Sequence, residues 1–80
     1  MTFVNASNKK LKSFEKLINT VLRNGYLVYL YDYKAKQIIG ILTLDKDSYE
    51  YTMRKADGYK VNKFGGSNCD GNLWFYMEKE

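Results

Sequence analysis

The chain has 80 residues, 45% of them hydrophobic and 28% charged, with thirteen Lys and Arg against nine Asp and Glu for a net charge of +4. That composition belongs to a globular chain and that length to a single domain spanning residues 1–80, which excludes fibrous and low-complexity classes. No apolar run approaches the roughly 20 residues of a membrane span, histidine is absent, and the lone Cys69 has no intramolecular disulfide partner.

The opening stretch MTFVNASNKK lacks the basic region and apolar run of a secretory signal. With the single cysteine, it leads to the expectation of a cytoplasmic protein with no membrane association. Apolar residues then fall at Leu11, Phe14, Leu17, Ile18, Val21 and Leu22. Spacings of three, four and seven predict an amphipathic helix over about residues 8–24. Ser7 is the expected N-cap, with Asn5 and Asn8 as alternatives. Asn24-Gly25 supplies the stop, since glycine enters the left-handed region without penalty.

From Gly25 the pattern changes to alternation. Strands are predicted at about residues 26–33, 37–44, 49–55, 59–64 and 73–77. Short polar links join them, and Asp57-Gly58 has the composition of a type I′ hairpin turn. The expected fold class is α+β: one N-terminal helix packed on one face of a four- to five-stranded antiparallel meander, with curling toward a small barrel as the alternative. In this register Val28, Leu30, Ile38, Gly40, Leu42, Leu44, Tyr49, Tyr51 and Met53 face the helix, and Gly40 lets it approach closely. Tyr29, Tyr31, Tyr33, Ile39, Ile41, Thr43, Thr52 and Arg54 take the other face. The row Tyr29, Tyr31, Tyr33 with Arg54 is therefore a candidate contact surface, and core packing in a curled sheet is the competing structural reading.

Charge is uneven. Residues 1–25 carry Lys9, Lys10, Lys12, Lys16 and Arg23 against Glu15 alone, while the rest of the chain is balanced. On a helical wheel Lys9, Lys12, Lys16 and Arg23 fall within about 60°. They form a candidate basic ridge for a nucleic acid or an acidic protein surface, a solvated outer face being the plainer alternative.

Catalytic motifs are weak. GGSNCDG is glycine-rich but is followed by strand-like NLWFYM, not by a helix and a Lys-Ser/Thr pair, so it reads as a hairpin loop. DKDSYE lacks the glycine and late glutamate of a calcium loop and reads as a turn. Cys69 has no histidine partner for nucleophilic chemistry. Asp32, Asp45, Asp47 and Glu50 are the carboxylates available to a metal nuclease, with nothing in the spacing that gathers them. The expectation is a protein that is not an enzyme and needs no metal or other cofactor.

Alternating aromatics also occur on sheets that bind single-stranded nucleic acid. The RNA-binding version has a second helix and a Gly-Phe signature, neither of which the sequence shows. Lys, Asn, Tyr and Ile supply 30 residues against five for Pro, Ala and Arg, a usage that fits AT-rich coding. The favoured expectation is a small stand-alone protein-binding module: a phage or mobile-element inhibitor or modulator of a host protein or protein–nucleic acid complex, of the anti-defence or CRISPR-inhibitor kind. The alternative is a nucleic-acid-binding module using the ridge and the tyrosine face. A homodimer through the uncovered face is a further expectation for that surface.

Overall fold

The computed structural model describes residues 3–66 and 71–80; Cys69 and the middle of the GGSNCDG stretch lie outside them. The chain is α+β, with two helices on one side of an open five-stranded sheet. Strand β1 (Phe3–Lys9) is followed by a 3-10 turn at Leu11–Phe14 and helix α1 (Glu15–Arg23). Strands β2 (Val28–Asp32) and β3 (Gln37–Leu42), helix α2 (Lys46–Lys55), and strands β4 (Tyr59–Gly66) and β5 (Leu73–Lys79) complete the order.

Across the sheet the order is β1-β4-β5-β2-β3. All neighbours are antiparallel except β2 and β5, which run parallel, Val28 opposite Leu73 and Tyr31 opposite Tyr76. The expected meander is thus corrected to a mixed sheet. Its two hairpin-like pairs, β2–β3 and β4–β5, are joined through α2, and a helical crossover permits the parallel contact that short turns forbid. The sheet does not close into a barrel: β1 and β3 are its two edges.

Two further expectations fail for identifiable reasons. The helix expected over about 8–24 begins later, because Phe3–Lys9 pairs with β4, Phe3 opposite Gly65 and Asn5 opposite Lys63. Cap signals at Ser7 and Asn8 therefore fall inside a strand, where Asn8 adopts φ 76° beside a register shift. The strand expected at 49–55 is helix α2. Tyr and Thr in that stretch suit strands, but Asp45 accepts a hydrogen bond from the Ser48 amide and caps a helix. Asp47 in the first turn and Arg54 and Lys55 in the last complement the helix dipole. Asp57-Gly58 is therefore the end of α2, not a hairpin turn, and Gly58 has φ +87° as Gly25 does after α1.

Both helices pack on one face. Ile18 and Leu22 of α1 join Val28, Leu30, Leu42, Val61, Phe75 and Met77 in the core. Phe14 contacts both Phe64 and Phe75, with ring centroids 4.9 and 5.3 Å apart. Gly40, opposite Leu30, receives Thr52 of α2, so the close approach belongs to α2 and not to the N-terminal helix. A bulge at Ile39 in β3 exchanges two side chains: Ile39 turns into the core and Ile38 out of it, the reverse of the expected register. Tyr51, expected in the core, is 63% exposed on α2, with Lys55 Nζ 5.6 Å from its ring centre.

Candidate aromatic interface

The other face of the sheet carries no helix among the described residues. Side-chain alternation puts Tyr29 and Tyr31 of β2 there, opposite Trp74 and Tyr76 of β5 in the parallel ladder. Phe3 and Lys63 extend the surface across β1 and β4, and Ile38 and Ile41 extend it across β3.

The rings interlock. Tyr29 and Trp74 stack with centroids 4.4 Å apart and planes 10° from parallel. Tyr31 meets Trp74 and Tyr76 edge-on at 6.3 and 5.5 Å. Tyr76 in turn meets Phe3 edge-on at 4.8 Å. The Tyr29–Trp74 separation is close to the ~4.8 Å between neighbouring strands. Two directly opposed rings at that spacing, face to face, must stand upright on the sheet. One π-face of each ring is turned to the other, and the ring edges to solvent. Lys63 Nζ lies 5.1 Å from the Phe3 ring centre and 5.2 Å from that of Tyr76, a cation held over aromatic surface.

A polar cluster borders the rings. Tyr33 donates its hydroxyl hydrogen to Glu78 at 2.9 Å, and Asn62 donates to the Tyr33 oxygen at 3.4 Å. Lys34 and Lys60 reach the same carboxylate at 2.6 and 3.6 Å. The Lys34 hydrogen bond, then that of Tyr33, hold the Glu78 carboxyl below its ordinary range. The Tyr33 phenol is pushed up, first by its hydrogen bond to Glu78 and then by burial. Asp32 is buried and committed to the adjoining turn: its carboxylate accepts from the Lys34 and Ala35 amides and from the Tyr59 hydroxyl.

Of the residues expected at the surface, Tyr29, Tyr31 and Tyr33 lie on this side of the sheet. Arg54 does not: it belongs to α2, with Glu50 3.9 Å away. Its expected position assumed a strand where the chain is helical. Trp74, Tyr76, Phe3 and Lys63 were not anticipated. The alternation in LWFYMEK placed Trp74 and Tyr76 together, but only the parallel pairing of β5 with β2 brings them beside the tyrosines.

The expected basic ridge is divided. Lys9 ends β1, Lys12 lies in the 3-10 turn, and Lys16 and Arg23 share one side of α1, seven residues apart. All four are exposed, and none makes an ion pair among the described residues. Lys10 instead pairs with Glu80.

Between the two helices lies a cleft of about 990 Å³ whose walls include Leu11, Leu22, Tyr49, Met53 and Tyr59. The Tyr49 hydroxyl is buried there without a hydrogen-bond partner among the described residues. Burial, then the Glu15 charge, raises its pKa. The carboxylates Asp32, Asp45, Asp47 and Glu50 are separated between the β2 end and the start of α2. Among the described residues no three or more His, Cys, Asp or Glu side chains gather as a metal site. No helix among the described residues is long and apolar enough to cross a membrane.

Comparison with protein-family models, with curated proteins and with solved structures finds no match for this chain.

Proposed function

We propose that the chain is a small, non-enzymatic protein-binding module that docks through its open aromatic face onto a host protein or protein–nucleic acid complex. The observation that carries this reading is the upright stack of Tyr29 on Trp74. A surface that binds single-stranded nucleic acid offers ring faces on which bases stack. Here one face of each ring is occupied by the other, and ring edges and phenol oxygens make up the ridge turned to solvent. Such a ridge suits the side chains of a folded partner. Tyrosine and tryptophan are enriched at protein interfaces because they bury large areas with few rotatable bonds. Glu78 with Lys34 and Lys60 provides a polar rim at one end.

The presence of α2 removes one sequence-based objection to nucleic-acid binding, so ring orientation is what separates the two readings. AT-rich residue usage supports a phage or mobile-element source, and with it a role as inhibitor or modulator. The test is capture of partners from a host extract, with and without nuclease, by the native chain and by Trp74→Ala. Capture that survives nuclease and is lost with Trp74→Ala supports the proposal. Trp74 is the sole tryptophan, so its fluorescence reports directly on this face. A salt-sensitive fluorescence change with single-stranded oligonucleotides, together with nuclease-sensitive capture, would overturn the proposal in favour of nucleic acid.

A further inference from the structure

The two edges of the sheet are built differently. Strand β1 carries Asn5, Ser7, Asn8 and Lys9, with a register shift between Asn5 and Lys9 and a left-handed Asn8. Those are devices that keep an edge from pairing with another chain. Strand β3 is QIIGIL, and no charged residue or proline occurs from Gln37 to Leu44. It carries one device of that kind, the bulge at Ile39 beside its Gln37 end. Seven large hydrophobic residues are exposed among those described, and three of them, Ile38 at 47%, Ile41 at 36% and Leu44 at 66%, lie on this stretch. On its outer side β3 has no strand neighbour among the described residues. The Ile41 carbonyl receives a long 3.4 Å bond from the Thr52 hydroxyl.

The geometry points to β3 as a homodimerisation edge: two copies pair β3 against β3, antiparallel, to form one continuous ten-stranded sheet. Charge selects this occupant. Lys34 and Lys36 flank the strand at one end, and Asp45 and Asp47, with Lys46 between them, flank it at the other, +2 against −1. Antiparallel pairing about a two-fold axis sets the lysine end of each copy beside the aspartate end of its partner, so both ends gain opposite charges at once. Lys36 and Asp47 make no ion pair within the chain among the described residues. The contact is isologous and uses the one uncharged edge that each copy has, so it closes at two copies. A two-fold axis perpendicular to the sheet leaves both aromatic faces on the same side, forming one doubled surface. The inference does not depend on what that face binds.

Sedimentation equilibrium of the full chain, from micromolar to millimolar concentration, tests it. The expected mass is twice 9.4 kDa. Ile41→Lys, which places a charge on the edge, should return the chain to monomer. Lys36→Asp and Asp47→Lys should each loosen the dimer by about fivefold, and the double reversal should restore it. Because Ile41 also borders the aromatic face, Trp74→Ala and Tyr31→Ala serve as controls and should leave the dimer intact. Melting curves verify that each variant is folded. The charge-reversal series reads the edge even where Ile41→Lys does not fold. A monomer at every concentration, assemblies larger than a dimer, or a dimer broken by Trp74→Ala but indifferent to the charge reversals would overturn the inference.

Discussion

Thr52 fills the space that a side chain at Gly40 would need. A Cβ on Gly40 would lie 2.7 Å from Thr52 Cγ2, well inside contact distance. Thr52 is itself buried on α2, so relief requires the helix to lift from β3. Gly40→Ala should therefore destabilise the protein by about 1–3 kcal/mol, the usual cost of overpacking. The urea midpoint reads the effect, and adding Thr52→Ala should recover part of it. An unchanged midpoint would place α2 farther from the sheet.

Tyr49 contributes an unpaired buried hydroxyl in the cleft between the helices. A buried donor without a partner costs about 1–3 kcal/mol of desolvation. Tyr49→Phe keeps the ring and removes the cost, so it should raise stability by about 1 kcal/mol in a thermal melt. A loss of stability would mean that the hydroxyl is satisfied by water.

Much of the helix-facing core was legible from period alone. Leu11, Ile18 and Leu22 follow the helical stripe, and Val28, Leu30 and Leu42 follow strand alternation. What failed depended on pairing between distant segments. Phe3–Lys9 has little strand character of its own and becomes one by adding to β4. The stretch Ser48 to Ala56 has Tyr49, Thr52, Met53 and Ala56 at helical spacing, while its Tyr and Thr favour strands by residue type. Asn24-Gly25-Tyr26 and Asp57-Gly58-Tyr59 end the two helices in the same way. A left-handed glycine serves a helix stop and a hairpin turn alike, so the dipeptide could not separate them. The tyrosine row was visible, but its tryptophan was not, because a parallel β2–β5 contact leaves no mark in local sequence.

The same positive φ makes Gly58 sensitive to substitution. Gly58→Val should lower the melting temperature, since a β-branched residue resists φ +87°. Gly58→Asn should be better tolerated, because asparagine enters the left-handed region more readily. Equal melting of both variants would show that this conformation is not required.

The Glu78 cluster gives a pH signature. Its carboxyl is held below the ordinary 4.5 by the hydrogen bond from Lys34 and then that from Tyr33. The resulting stabilisation is present above that ordinary value and is lost as pH falls through the folded one. Tyr33 is raised from 10.0, first by its bond to Glu78, and Tyr49 and Tyr59 are raised chiefly by burial. Their contribution is present below pH 10 and disappears as pH climbs through the raised values. Thermal melts against pH should fall at both ends. Glu78→Gln should flatten the acid limb, and Tyr33→Phe should flatten part of the alkaline one. An acid limb identical in Glu78→Gln would assign it to other carboxylates.

The choice between a protein and a nucleic acid as partner rests on how Tyr29 and Trp74 stand. If the rings stack as the 4.4 Å separation and 10° angle indicate, their contributions to stability are coupled. Removing either ring loses the stack, and removing the second then loses nothing further from it. A double-mutant cycle with Tyr29→Ala and Trp74→Ala should return a coupling energy of about 0.5–1.5 kcal/mol, the usual worth of an aromatic pair beyond its buried area. Tyr29→Ala should also shift the emission of Trp74, since the ring covering one indole face is gone. Tyr26, exposed and outside the row, serves as the control, and Tyr26→Ala should show no coupling with Trp74. A coupling near zero with an unshifted emission would mean that the rings lie apart with their faces open. Bases would then have somewhere to stack, and the protein-docking reading of this surface would lose its main support.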